Sequence, residues 1–136
     1  MKKSINFFRI VSIATSVLFI YLSYLLLFLS GSFVRDLGQQ PSEATYVLSR
    51  RAAMFMLGIA VLMFGSRNLV QSKARQIICL ATGITLLGLS IMGWYEFFKG
   101  TVNHTIFVAI SIETMLWICY AIILLKDRIS TGIRFW

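Results

Sequence analysis

The sequence predicts an all-α fold: a polytopic membrane protein whose four transmembrane helices form one antiparallel bundle, a single domain over residues 1–136. Three observations carry that expectation. Hydrophobic residues make up 58% of the chain and charged residues only 13%, with a mean hydropathy of +0.81. Soluble domains carry about 25% charged residues and cannot hide so much apolar surface. The apolar residues fall into four long runs joined by short polar connections, with one proline in the whole chain. The basic residues lie between those runs and form no block.

The first run covers approximately residues 8–30. Met1-Lys2-Lys3 resembles the start of a signal peptide, but the apolar stretch exceeds the roughly 7–15 residues of such a segment. An uncleaved span is expected. The second run is unusual, because its uninterrupted apolar part, Ala52 to Ser66, has only 15 residues. At about 1.5 Å per residue that reaches about 22 Å, short of the ~30 Å hydrocarbon core. The helix must therefore start earlier, and Pro41-Ser42-Glu43 offers a start: Ser42 as N-cap and Glu43 in the first turn. A span over 43–66 follows, which carries Arg50 and Arg51 inside the outer edge of the membrane. The third span covers approximately 77–97 and ends in aromatics suited to the headgroup level. The fourth covers approximately 105–125, and the connections are 31–40, 67–76 and 98–104.

Orientation follows from the basic residues. With the N-terminus inside, Lys2, Lys3, Arg9, Arg67, Lys73, Arg75, Lys126, Arg128 and Arg134 are internal, nine of the 13. Arg35, Arg50, Arg51 and Lys99 are external. The positive-inside rule then places both termini in the cytoplasm. The net charge of +8 is accounted for by this topology and by contact with anionic lipid, and no basic arm exists to bind nucleic acid. Cys79 and Cys119 fall inside apolar runs without a CxxC, so each reads as a small buried residue and not as a redox centre.

Each span also carries a candidate packing stripe at spacings of 3, 4 and 7. These are Ser12, Ser16, Ser23 and Ser30 in span one; Arg51, Gly58 and Gly65 in span two; Ala81, Thr85, Gly88, Met92 and Tyr95 in span three; and Ala109, Glu113, Trp117 and Tyr120 in span four.

Glu113 stands out as the single acid inside the fourth run. An ionisable group at that depth costs a few kcal/mol or more, so it faces a partner, a cavity or a pathway. Three arrangements are consistent with the residues. Glu113 and Arg51 form a structural ion pair; or the pair borders a polar cavity for a ligand, with Glu113 exchanging a proton or cation; or Glu113 is a neutral carboxyl partnered by Thr85, Tyr120 or Ser111. Arg50, rotated about 100° from Arg51, is expected to snorkel to the headgroups.

The outer rim adds Arg35, Asp36, Glu43, Arg50, Glu96, Lys99 and His104, with Tyr46, Trp94 and Tyr95. This mixed surface suits a lipid headgroup or an anion. His104 is the one histidine, so no His-based metal cluster is expected, and neither metal nor cofactor is called for. The closing Ile133-Arg134-Phe135-Trp136 reads as an interfacial anchor.

The function these features favour is binding or translocation of a small or amphipathic, lipid-like ligand at a polar site between helices. Arg51 and Glu113 would form its centre, with Arg50, Thr85 and Tyr120 around it. The alternatives are a non-catalytic accessory or assembly subunit of a larger membrane complex and, more weakly, a lipid-modifying enzyme. The absence of a paired His, Ser/His or multi-carboxylate pattern argues against an enzyme. Expected partners are membrane lipids, with a homo-oligomer or a larger membrane protein as further options. The expected location is a bacterial inner membrane.

Overall fold

The computed structural model describes residues 2–131, with side chains from 7 to 129. The proposed anchor at 133–136 and Arg134 lie outside the described residues, as do the side chains of Lys2 and Lys3. Five helices follow in order: α1 (Lys2–Phe28), α2 (Ser30–Asp36), α3 (Glu43–Ser66), α4 (Lys73–Phe98) and α5 (Ile106–Thr131). Four of them, all but α2, are long and apolar enough to cross a bilayer. The chain is an integral membrane protein built as a four-helix bundle.

α3 begins where the local signals direct. The Ser42 side chain accepts from the Thr45 N–H, and the Thr45 hydroxyl accepts from the Ser42 N–H, closing a capping box. Its 24 residues reach about 36 Å, enough to span with tilt.

Where a loop is expected from residue 31, α2 forms instead. The helical ladder runs on through the bend at Leu29, whose N–H donates to the Leu25 carbonyl at 2.8 Å while Phe33 N–H donates to Leu29 at 2.9 Å. Gly31 lets α2 lie against α3, since a Cβ there would stand 2.7 Å from the Tyr46 hydroxyl. Gly38, at φ +88°, ends the helix in the left-handed region, with its N–H donating to the Arg35 carbonyl at 2.8 Å.

The long helices form two close antiparallel pairs, α1 with α3 and α4 with α5, joined through α1 and α5. The α1–α3 seam is a serine stripe on alanines. Ser16 and Ser23 donate to the carbonyls of Ala60 and Ala53 at 2.8 and 3.0 Å, and both alanines are buried. Small residues allow the close backbone approach that drives helix association in lipid. In the α4–α5 seam, Ser90 and Thr114 hydroxyls bond at 2.8 Å and Gly93 meets Ile110. α3 touches α4 where Thr82 donates to the Met63 sulfur at 3.3 Å.

The serine stripe of α1 faces inward as expected, but those of α3 and α4 do not. Arg51, Gly58 and Gly65 are exposed, and the packed face of α3 is Ser49, Ala53, Ala60, Met63 and Ser66. Ala81, Thr85, Gly88, Met92 and Tyr95 are likewise exposed, whereas Gln76, Cys79, Gly83, Leu86 and Ser90 are buried. An exposed glycine carries little penalty in lipid, so small residues alone do not mark a seam.

Candidate functional site

α5 carries three polar residues one heptad apart, Glu113, Tyr120 and Asp127. That spacing puts them on one face, about 10 Å apart along the axis. The face looks toward α1. Tyr120 is buried and its hydroxyl donates to Thr15 Oγ1 at 2.9 Å. Thr15 in turn donates to its own helix at the Val11 carbonyl, 2.9 Å away. Continuing this antiparallel register by seven residues either way sets Asp127 opposite Phe8 and Glu113 opposite Leu22.

At the Asp127 level the bundle is closed by a buried ion pair. Arg75 Nε lies 2.9 Å from Asp127 Oδ2, and Arg75 Nη2 donates to Oδ1 at 3.0 Å, with both side chains about 1% exposed. Gln71 donates to the same Oδ1 at 3.1 Å, and Arg75 Nη1 reaches the Leu69 carbonyl at 3.4 Å. The guanidinium carbon stands 4.5 Å from the Phe8 ring centroid. This layer ties α1, α4, α5 and the α3–α4 connection together. Sequence reasoning treated Arg75 as a topology signal and did not single out Asp127. The available signal was the heptad 113–120–127.

At the Glu113 level the partner is missing. Glu113 is half-buried and lines a cleft of about 520 Å³ between α1, α2 and α5, with Met56 of α3 and Leu89 of α4 at its inner wall. Leu18, Leu22, Leu25 and Ile112 make most of the surface apolar; Tyr21, Ser32, Phe33 and Asp36 also line it, the last three from α2. The cleft arises because the two pairs hold α1 and α5 apart. Ser23 ties α1 to α3, Thr114 ties α5 to α4, and opposite Glu113 the register supplies Leu22 instead of a hydroxyl. Among the described residues, the Glu113 carboxyl makes no hydrogen bond or ion pair.

Compared with family models, curated proteins and solved structures, the chain matches none. Function has to be read from this geometry.

The structure does not bring the remaining expected site residues to Glu113. Arg51 and Arg50 are exposed on α3. In an up-down bundle α3 and α5 run parallel and stand diagonally, with α1 between them, so the Arg51–Glu113 pair does not form. Thr85 is exposed on α4 and donates to the Ala81 carbonyl at 3.0 Å. Tyr120 is committed to Thr15 a heptad away. Of the rim, Arg35 is exposed on α2 and Glu96 is half-buried on α4. His104 is exposed beside Phe97 and Phe107, at ring-centroid distances of 5.3 and 5.9 Å.

The same rim is latched across the two helix pairs. Asn103 Nδ2 donates to the Asp36 carbonyl at 2.8 Å, Asn103 N–H to Leu37 at 3.0 Å, and the Gln39 side chain to the Thr101 carbonyl. The α2–α3 and α4–α5 connections are thus bonded to each other beside the cleft, to which they contribute Leu37 and Thr105.

Proposed function

We propose that this protein binds a small amphipathic, lipid-like ligand in the cleft between α1, α2 and α5, with Glu113 as its polar anchor. The single observation that supports this is a lone carboxyl at membrane depth facing an apolar cleft of about 520 Å³. Pockets of roughly 300–1,000 Å³ with few polar groups are typical of small-molecule sites. An ionisable group inside a span that has no neutralising partner points to a ligand or ion site by default. Arg51, Arg50 and Thr85 have no part in this site, and Tyr120 serves it by closing α1 onto α5 below the cleft.

Translocation would require the Arg75–Asp127 layer to part, so binding from one side is the simpler activity. We place the Arg75 end in the cytoplasm, in a bacterial inner membrane. The basic bias supports this even after Arg75 is discounted, since its charge is neutralised by Asp127.

Native mass spectrometry of the protein released from lipid nanodiscs tests the reading. A retained amphiphile is expected in the wild type and not in Leu22→Trp, which fills the cleft opposite Glu113. A wild type that flies without any adduct, or a Leu22→Trp variant that keeps it, would sink the proposal.

A further inference from the structure

Resting on the ligand reading above, we infer that the cleft selects a hydrophobic cation: an ammonium group carried on an apolar body. The chain holds 13 basic and five acidic residues. Among the described residues, two of those five acids, Asp36 and Glu113, line the cleft, and no Lys, Arg or His does. In a protein of net charge +8 that local inversion of sign is a property of the site and not of the composition.

The two carboxyls are placed differently. Asp36 ends α2 and is exposed at the rim, while Glu113 lies seven residues into α5, about 10 Å from its start. A cation entering from the rim meets negative charge first at the mouth and then at depth. Once formed, an ammonium–carboxylate pair interacts more strongly where water is excluded. An anionic headgroup meets repulsion along the same path. A neutral amphiphile gains only the apolar contact.

Two aromatic rings among the lining residues, Tyr21 on α1 and Phe33 on α2, add a second preference. Ring faces attract ammonium and quaternary ammonium groups. The leucine-lined inner part, reaching Met56 and Leu89, suits an alkyl or ring body. The headgroup would occupy the Glu113 level and the apolar body the space toward α3 and α4.

The test is equilibrium dialysis of radiolabelled decyltrimethylammonium against the protein in phosphatidylcholine nanodiscs, with empty discs subtracted. Decyl sulfate and decyl maltoside serve as competitors. Saturable binding is expected, with competition by unlabelled cation and little by the sulfate. Glu113→Gln should weaken it about tenfold and Asp36→Asn about threefold, while Glu113→Asp keeps most of it.

Equal binding of all three amphiphiles, with Glu113→Gln unchanged, overturns the cation inference and leaves the ligand reading intact. No binding of any probe above empty discs defeats the ligand reading itself. Should Glu113→Gln fail to fold, the wild-type competition series still decides between these outcomes.

Discussion

At the Asp127 level of the bundle a carboxylate is buried among Arg75, Gln71 and Phe8. At the Glu113 level, two heptads away on the same helix face, a carboxyl borders an open cleft opposite Leu22. The helix bearing them is the same and so is the residue chemistry. What differs is the partner supplied by α1 and α4 across the register. Polarity at membrane depth therefore has no fixed meaning. With a bidentate guanidinium it closes the bundle, and with a leucine it leaves a cleft.

The largest effect that would break this comparison lies at the closed end. Asp127→Ala should destabilise the protein by about 3–5 kcal/mol, because it strands the Arg75 guanidinium in the core. The double variant Arg75→Met/Asp127→Leu should recover most of that loss, as read by denaturant titration in detergent micelles. If Asp127→Ala is as stable as wild type, the layer is not a lock.

Next in size is the seam that holds α5 away from α1. A Cβ at Gly93 would stand 2.7 Å from Ile110 Cγ1, so Gly93→Val should cost about 1–3 kcal/mol through overpacking. It should also reshape the cleft, lowering binding of decyltrimethylammonium. A neutral effect in both measurements would show that α4 and α5 can slide freely here.

Between the two ends, Tyr120→Phe removes the bond to Thr15 and keeps the ring. Interhelical hydrogen bonds in membranes are worth about 0.6 kcal/mol and rarely exceed ~1.7. A loss in that range is expected in the same titration. A larger one would mean that the Tyr120 layer, and not the ion pair, fastens α1 to α5.

The smallest effect belongs to the pairing that the sequence suggested. A double-mutant cycle of Arg51→Gln and Glu113→Gln should give a coupling within about 0.5 kcal/mol of zero, as for distant independent sites. A coupling well above that would place α3 beside α5 and contradict the diagonal arrangement.

Much of the fold could be read from particular residues. Ser42 and Thr45 cap α3 where the short apolar run demands an earlier start, and the serines of α1 face their neighbour as their spacing requires. The stripes of α3 and α4 could not be read the same way. Lipid is as apolar as leucine, so Gly58, Gly65 and Gly88 stand outside without penalty. The buried series Gln76, Cys79, Gly83, Leu86 and Ser90 is equally periodic, so spacing alone does not choose between the two faces.

Glu113 was visible as an isolated acid, but its surroundings were not. A pairing with Arg51 matches depth with depth, but it requires α3 and α5 to be neighbours, and parallel helices in an up-down bundle are diagonal. Arg75 and Asp127 were missed for a different reason. Spans drawn at the edge of hydropathy end near residues 77 and 125, whereas α4 begins at Lys73 and α5 ends at Thr131. Those extra turns carry the most deeply buried charges in the bundle.

The sequence by itself determined that four helices are long and apolar enough to cross a membrane, and where α3 and α5 begin. Those follow from local quantities: apolar length against bilayer thickness, and a capping residue at the start of a run. Only the tertiary structure decided which carboxylate is locked and which is left facing a cleft. That depends on the register between α1 and α5 and on the order of helices around the bundle, neither of which hydropathy encodes.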